Sequence, residues 1–165
     1  MRKKDFKVLS TPKKYELTDE TISLPSGRVL HRIKAIRDFH DVHKGDLGGY
    51  IESEANLAHY GDCWVYNNAK VWQGAVVRGN AIAKNNAIIR DYACITDNAI
   101  IKDNAEVREY AIVGQNITLE DNVTFCRGAN VNAFLWDNVA FRGNSIIYDY
   151  INDIYEIERI NRCGY

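Results

Sequence analysis

Four histidines are the residues of this sequence that can act as general bases near neutral pH: His31, His40, His43 and His59. No histidine follows residue 59, and only His59, with Tyr60 and Asp62 beside it, borders the long repetitive region of the chain. A catalytic histidine needs a substrate within hydrogen-bond reach. Surface and capping histidines are commoner than catalytic ones, so we expect His59 to be a surface or capping residue, and catalysis is the alternative.

The four cysteines could supply a nucleophile or a metal site: Cys63, Cys94, Cys126 and Cys163. They form no CxxC pair and have no spacing typical of a metal site, so we predict no bound metal. Cys94 and Cys126 have no neighbouring histidine or basic group to generate a thiolate. Free thiols in a reducing compartment are the simplest interpretation, and we expect a cytoplasmic protein.

Charge and hydropathy exclude several classes of function. The 21 lysines and arginines nearly balance the 22 acidic residues, so bulk charge argues against nucleic-acid binding. No apolar run is long enough to span a membrane, and the basic start is followed by no apolar segment typical of a signal peptide. We interpret residues 1–14, which include Lys13 and Lys14, as a basic, solvated N-terminal tail.

A six-residue repeat organises the middle of the chain and must position any site. A small residue, usually alanine, recurs every six positions, and a branched or large apolar residue follows it two positions later. The small position runs without insertion through twelve hexads: Cys63, Ala69, Ala75, Ala81, Ala87, Ala93, Ala99, Ala105, Ala111, Ile117, Val123 and Ala129. Two inward residues separated by one outward residue form a short strand.

Pairs such as Asn85-Asn86, Asp97-Asn98 and Asp103-Asn104 follow the strands. Asn, Asp and Gly tolerate positive φ, so each pair predicts a corner. Three strands and three corners make a triangular coil of eighteen residues, and successive coils stack as parallel strands. At this offset asparagines fall in rows, which predicts side-chain ladders along the column. The rows contain Asn68, Asn86, Asn104 and Asn122, and Asn80, Asn98 and Asn116.

The segments VWQGAV (71–76), ITDNAI (95–100) and IKDNAE (101–106) resemble the hexapeptide repeat of the bacterial transferase superfamily. The resemblance covers residues 60–150 and implies a left-handed parallel β-helix. DLGGYIESEANL (46–57) with CWVY (63–66) is also similar to small uncharacterised bacterial and phage hexapeptide proteins labelled as transferases.

For acyltransferases of this superfamily, the resemblance implies a histidine base near a corner and acetyl-coenzyme A between neighbouring subunits. His59 would be that base. The hexads contain no loop insertion from which to build a pocket, which argues against catalysis.

The ends of the column need caps, because they expose strand edges. Alternating residues on either side of Pro25–Arg28 predict an N-terminal β-hairpin, and we place a β cap at 15–52. The repeat slips after Val131 and resumes at Val139, so we extend the β-helix over 53–147 with four to five coils. Apolar spacings of three and four then predict a short C-terminal helix or cap at 148–165.

The residue between each inward pair points outward, which sorts the outward residues into three faces. Face 1 carries Trp64, Ile82, Ile100 and Thr118; face 2 carries Lys70, Ile88, Glu106 and Thr124; face 3 carries Val76, Cys94, Ile112 and Asn130. Faces 1 and 3 therefore present apolar stripes, which are typical of interfaces. β-propensity in exposed strands, or a cover supplied by the N-terminal hairpin, is the alternative. We predict a homo-oligomer, a dimer or trimer, with an interface on at least one of these faces.

One corner differs from the asparagine rows, and we call it the aromatic corner: Trp72, Arg90, Tyr92, Arg108 and Tyr110. Arginine and aromatic side chains in register are typical of recognition hot spots. They could also stack on a nucleotide ring, or form a self-satisfied ladder of ion pairs and stacked rings.

Our prediction is an all-β, non-catalytic binding or scaffold protein, which presents its faces for self-association and for a protein partner. The resemblance to phage proteins further implies that the partner is a host protein and that this chain inhibits it. The first alternative is a coenzyme-A-dependent acyltransferase with His59 as base. The second is a small-molecule or nucleotide binder at the aromatic corner.

Overall fold

A computed structural model of the chain describes residues 11–126, 130–131, 139–144 and 146–147. Short strands, three to each coil, stack as parallel ladders on the three faces of a column of about five turns. Face 1 contains β4 (Trp64–Val65), β7 (Ile82–Ala83), β10 (Ile100–Ile101), β13 (Ile117–Leu119) and β16 (Val139–Phe141). Face 2 contains β5 (Lys70–Val71), β8 (Ile88–Ile89), β11 (Glu106–Val107), β14 (Thr124–Phe125) and β17 (Ile146–Ile147). Face 3 contains β6 (Val76–Val77), β9 (Cys94–Ile95), β12 (Ile112–Val113) and β15 (Asn130–Val131).

Three longer strands precede the coils: β1 (Tyr15–Ser23), β2 (Val29–Ala35) and β3 (Leu47–Ile51). β1 and β2 form the predicted antiparallel hairpin, and β2 pairs with β3 in the same antiparallel sense. β3 then pairs in parallel with β5, so the hairpin continues the sheet of face 2 beyond the first coil. The strand edge at this end of face 2 is therefore covered. A single 3₁₀ turn, Glu54–Asn56, leads towards the first coil.

The eighteen-residue register predicted from the hexads is the register of the ladders. Ile82, Ile100 and Thr118 are paired along face 1. The alanine and aliphatic positions of the hexads point inward and form one core in which nearly every member is fully buried. After β13 the offset becomes 22 residues, because Ile117 pairs with Val139. The predicted slip in the repeat is thus confirmed.

The corners also follow the prediction, since the first residue of each pair takes the left-handed conformation. Positive φ recurs every six residues between 67 and 121, at values between 55° and 68°: Asn67, Gln73, Gly79, Asn85, Asp91, Asp97, Asp103, Glu109, Gln115 and Asp121. The second residue carries the ladder. Asn86 donates to Asn104 at 3.4 Å, and Asn104 donates to Asn122 at 3.2 Å.

The all-β fold class with parallel stacked coils is confirmed. Its left-handedness stays a prediction from the resemblance. The predicted C-terminal helix or cap at 148–165 and residues 1–10 of the predicted tail lie outside the described residues.

Candidate functional site

The centre of the aromatic corner is a parallel stack of two exposed tyrosines. The ring centroids of Tyr92 and Tyr110 lie 5.2 Å apart with 5° between the ring planes. The two residues are 62% and 67% exposed, the largest exposures among the large hydrophobic residues that the structure describes. Gly74 occupies the same position in the preceding coil, where a β-carbon would lie 2.5 Å from Cδ1 of Tyr92. The ring of Tyr92 therefore rests directly on the backbone of Gly74.

The two arginines of the corner are held by acidic neighbours. Arg90 donates through Nε to Glu106 at 2.7 Å and through Nη1 to Asp91 at 3.1 Å. Arg108 donates through Nη1 to Glu109 at 3.2 Å. This part of the corner is a ladder of ion pairs, and it leaves Nε of Arg108 buried without a hydrogen-bond partner among the described residues. The guanidinium groups are therefore fixed in place beside the tyrosines.

The corner backbone is braced from coil to coil by side-chain oxygens. Oε1 of Gln73 accepts from the backbone N–H of Asp91 at 3.2 Å, and Oδ2 of Asp91 accepts from the N–H of Glu109 at 3.1 Å. Each bond crosses eighteen residues of sequence and one step of the column. These bonds tie the corner backbones of successive coils together.

Trp72 contributes to a different surface from the tyrosines. With the hairpin turn it lines a groove of about 400 Å³, whose wall also includes Leu24, Pro25, Arg28 and Arg90. Tyr92 and Tyr110 are not part of this lining. Of the five residues predicted as one site, Trp72 and Arg90 line the groove, Tyr92 and Tyr110 form the exposed stack, and Arg108 belongs to neither.

The predicted interface residues differ in how far the fold leaves them accessible. Val76, Cys94 and Ile112 form a half-buried apolar stripe along face 3, and Ile82 and Ile100 are half-buried on face 1. No described element covers either stripe.

Trp64 does not belong to the exposed stripe, and this part of the interface prediction is wrong. The residue is 1% exposed, and its ring lies 5.3 Å from the ring of Phe39 and 6.0 Å from the ring of Tyr15. The N-terminal segment therefore covers face 1 at β4, where the coils begin. A cover from this part of the chain is the alternative to an interface for the apolar stripes.

His59 is built into the contact between the N-terminal hairpin and the first coil. Its ring stacks on Tyr15 with centroids 4.3 Å apart. Nδ1 accepts from the backbone N–H of Lys14 at 3.3 Å, and Nε2 lies 3.4 Å from Oε2 of Glu54. Both ring nitrogens therefore have partners within the fold. This geometry suits a capping residue better than a general base, which needs a nitrogen aimed at substrate.

Lys14 is a buried lysine that the sequence placed in a solvated tail. It is 0% exposed, and its Nζ donates to the carbonyl oxygens of Cys63 at 2.7 Å and Gly61 at 3.1 Å. The ammonium also lies 3.3 Å from Sγ of Cys63 and 4.9 Å from the ring centroid of Phe39. Burial lowers the pKa of Lys14 and raises the pKa of the Cys63 thiol. The assignment of Lys14 to a solvated tail is thus wrong.

Two kinds of feature are absent from the described residues. No group of three or more His, Cys, Asp or Glu side chains in this part of the chain is arranged to hold a metal ion. Within the same residues, no helix is long and apolar enough to cross a membrane.

No family model matches the chain, but a segment of it is similar to part of a known protein. Over 53 residues the chain is 49% identical to the protein named uncharacterized acetyltransferase YdcK of Escherichia coli strain K12. The repeat, the stacked coils and this match fit a hexapeptide-repeat, transferase-like protein. The matched segment covers 32% of this chain but only 16% of the length of YdcK. The likeness is therefore to one part of a longer protein.

Proposed function

We propose that this chain is a non-catalytic binding protein, whose aromatic corner and face 3 contact a protein partner. The observation that supports the proposal is the parallel stack of Tyr92 and Tyr110, which are 62% and 67% exposed. Aromatic side chains that are already ordered lose little conformational entropy on binding. They are also among the residues most often found at binding hot spots.

The tyrosine stack and the apolar stripe of face 3 are continuous. Tyr92 stands two residues before Cys94, and Tyr110 two residues before Ile112, so each tyrosine lies beside the outward residue of the next strand. At the other edge of the face, Arg78 is exposed. An apolar centre with a polar rim is the usual anatomy of a protein interface.

Self-association, as a dimer or trimer, belongs to the same proposal, because the apolar stripe on face 3 is uncovered in the described chain. A partner in a host cell, and inhibition of that partner, rest on the resemblance to phage proteins. A cytoplasmic location belongs to the proposal on the cysteine spacing alone, which contains no CxxC pair.

The test compares variants of the corner and of face 3 with a matched tyrosine elsewhere. Proteins captured from an extract of the native host are identified and purified, and their affinity for the chain is measured by calorimetry. Tyr110→Ala is expected to lower the affinity of the chain for the partner about 30-fold, equivalent to about 2 kcal/mol of binding free energy. Tyr60→Ala is the control, because Tyr60 is 53% exposed and lies outside the corner.

Light scattering tests self-association with Ile112→Asp, which places a charge in the apolar stripe of face 3. We expect the native chain to have the mass of a dimer or trimer and the variant to dissociate. The proposed binding site at the corner is wrong if the native chain, Tyr110→Ala and Tyr60→Ala all bind the purified partner with equal affinity.

The acyltransferase alternative is favoured by the match to a protein named as an acetyltransferase. The engaged nitrogens of His59 weigh against it. Calorimetry with acetyl-coenzyme A separates the two functions, and we expect no saturable binding. Saturable binding that disappears in His59→Ala would overturn the non-catalytic proposal.

The small-molecule alternative is favoured by the groove beside Trp72. It predicts that a nucleotide raises the melting temperature and that Trp72→Ala removes the effect. Because Tyr92 lies outside the groove lining, Tyr92→Ala should leave this effect unchanged if the groove is the ligand site.

A further inference from the structure

Face 1 carries a trough that the aromatic corner does not share. Its volume is about 610 Å³, within the range of ligand-binding sites. Ile100, Thr118 and Ala140, the outward residues of β10, β13 and β16, contribute to its lining and lie in register. In each coil, face 3 lies between the tyrosines and this trough. The trough is therefore a separate surface.

One wall of the trough is a ladder of asparagine amides. Nδ2 of Asn98 donates to Oδ1 of Asn116 at 3.1 Å, and both residues line the trough. An amide nitrogen carries two hydrogens, so Asn98 retains a second N–H after making this bond. The ladder fixes the amide and leaves a donor for a bound acceptor.

The opposite wall is a row of charged residues in the same register: Lys84, Lys102, Glu120 and Arg142. Glu120 is 8% exposed and forms ion pairs with both Lys102 and Arg142. Among the described residues, no carboxylate lies within ion-pair distance of Lys84. Three cations against one carboxylate leave the lining with an excess of positive charge.

Two further acids adjoin the row in sequence but lie outside the trough lining: Asp121, which follows Glu120, and Asp103, which follows Lys102. Oδ1 of Asp103 accepts from Nδ2 of Asn85 at 2.7 Å, and its Oδ2 accepts from the backbone N–H of Asp121 at 3.4 Å. Asp103 is thus engaged at the corner. These neutral N–H donors leave the charge of Asp103 in place, so the cationic excess belongs to the lining itself, where Lys84 is the cation without an ion pair among the described residues.

We propose that this trough binds an acidic, extended segment of a protein partner. The row from Lys84 to Arg142 rises three coils, about 14 Å at about 4.8 Å per step, which matches about four residues of extended chain. Carboxylates of the segment meet the cationic row, its backbone oxygens accept from the asparagine wall, and its β-carbons lie over Ile100 and Ala140. No aromatic side chain lines the trough, so it lacks the stacking platform on which single-stranded nucleic acids depend.

The experiment uses the full chain and an acetylated hexaglutamate peptide as the probe, with affinity measured by fluorescence anisotropy. We expect binding at low salt that weakens steeply in 0.5 M salt, as screening requires. A Gly-Ser peptide of the same length should not bind. Lys84→Gln should weaken hexaglutamate about fivefold, which corresponds to about 1 kcal/mol.

Lys70→Gln is the matched control, since Lys70 is a half-buried lysine on face 2. Arg142→Gln provides a second variant on the row. Absence of binding at low salt, or equal weakening by Lys84→Gln and Lys70→Gln, would overturn the proposal. Tighter binding of a single-stranded DNA oligomer with the same dependence on Lys84 would overturn it in favour of a nucleic-acid site. Because no variant here touches the aromatic corner, this proposal and the binding function proposed for that corner fail separately.

Discussion

The Nζ of Lys14 lies 2.7 Å from the backbone carbonyl oxygen of Cys63, at the end of the column where the coils begin. Cys63 precedes β4, the terminal strand in the ladder of face 1. The carbonyl oxygen of Gly61, which precedes Cys63 in the sequence, accepts from the same ammonium at 3.1 Å. One lysine side chain thus satisfies two backbone acceptors at an end of the column that no further coil covers. Capping by a buried cation is therefore part of how this β-helix begins.

Lys14→Met should destabilise the chain. The substitution keeps an apolar stem of similar length but leaves two carbonyl oxygens without their donor, and relief of the buried charge offsets part of the loss. We expect the free energy of unfolding to fall by about 2 kcal/mol. Urea unfolding monitored by circular dichroism measures the change.

Lys13→Met is the control for Lys14, since Lys13 is 59% exposed and forms an ion pair with Glu54 at 2.6 Å. An exposed pair contributes little, so its loss should change stability by no more than about 0.5 kcal/mol. Equal losses in the two variants would show that Lys14 is not a cap.

The asparagine ladder should contribute measurably to stability at its centre. Asn104 both donates to Asn122 at 3.2 Å and accepts from Asn86 at 3.4 Å, and positive φ falls on the preceding residue, Asp103. Asn104→Ala therefore removes two side-chain hydrogen bonds without changing the conformational demand of the corner. We expect a loss of about 1 kcal/mol, because each bond is exposed.

Asn68→Ala is the comparison for Asn104→Ala, because Asn68 is the exposed first member of the same row. Chemical unfolding of both variants is the measurement. A loss for Asn68→Ala as large as that for Asn104→Ala would mean that the ladder bonds are not the cause.

The column could be predicted from sequence because the residues within each hexad determine the local conformation of that hexad. An inward alanine, an inward aliphatic residue and a corner residue that tolerates positive φ need no information from elsewhere in the chain. The same holds for the slip before Val139, since the pattern resumes with recognisable inward residues. Positions of stacked side chains, such as Tyr92 over Gly74, follow from the register alone.

The predictions that failed depend on contacts between distant parts of the chain. Lys14 stands among other basic residues, and nothing in its neighbours indicates that its ammonium reaches Cys63, 49 residues away. Trp64 occupies an outward position, and only the path of the segment containing Phe39 shows that it is covered. The roles of Gly48 and Gly49 were missed for the same reason. A β-carbon would lie 2.6 Å from the carbonyl oxygen of Val65 at Gly48 and 2.5 Å from that of Ala69 at Gly49.

Gln115 offers a way to stabilise the column. Its φ of 56° lies in the left-handed region, where asparagine is accommodated better than glutamine. Gln115→Asn should raise the free energy of unfolding by a few tenths of a kcal/mol, up to about 1 kcal/mol. The β-branched variant Gln115→Val should lower it by about 1–2 kcal/mol. Thermal unfolding ranks the stability of the native chain and the two variants. A valine variant as stable as the asparagine variant would contradict the left-handed conformation assigned to Gln115.

The ion pairs of Glu120 should make the free energy of unfolding depend on pH. The hydrogen bond from Lys102 is the main cause that lowers the pKa of Glu120, and Arg142 acts in the same direction. A carboxyl group whose folded pKa lies below its unfolded value contributes stability above the unfolded pKa, and that contribution is lost as pH falls through the folded pKa. The native chain should therefore lose more stability between pH 6 and pH 3 than Glu120→Gln does. Urea midpoints across this range, with Glu16→Gln on an exposed strand position as control, measure the difference. Parallel pH profiles for the native chain and Glu120→Gln would show that the pairing of Glu120 does not contribute to folding.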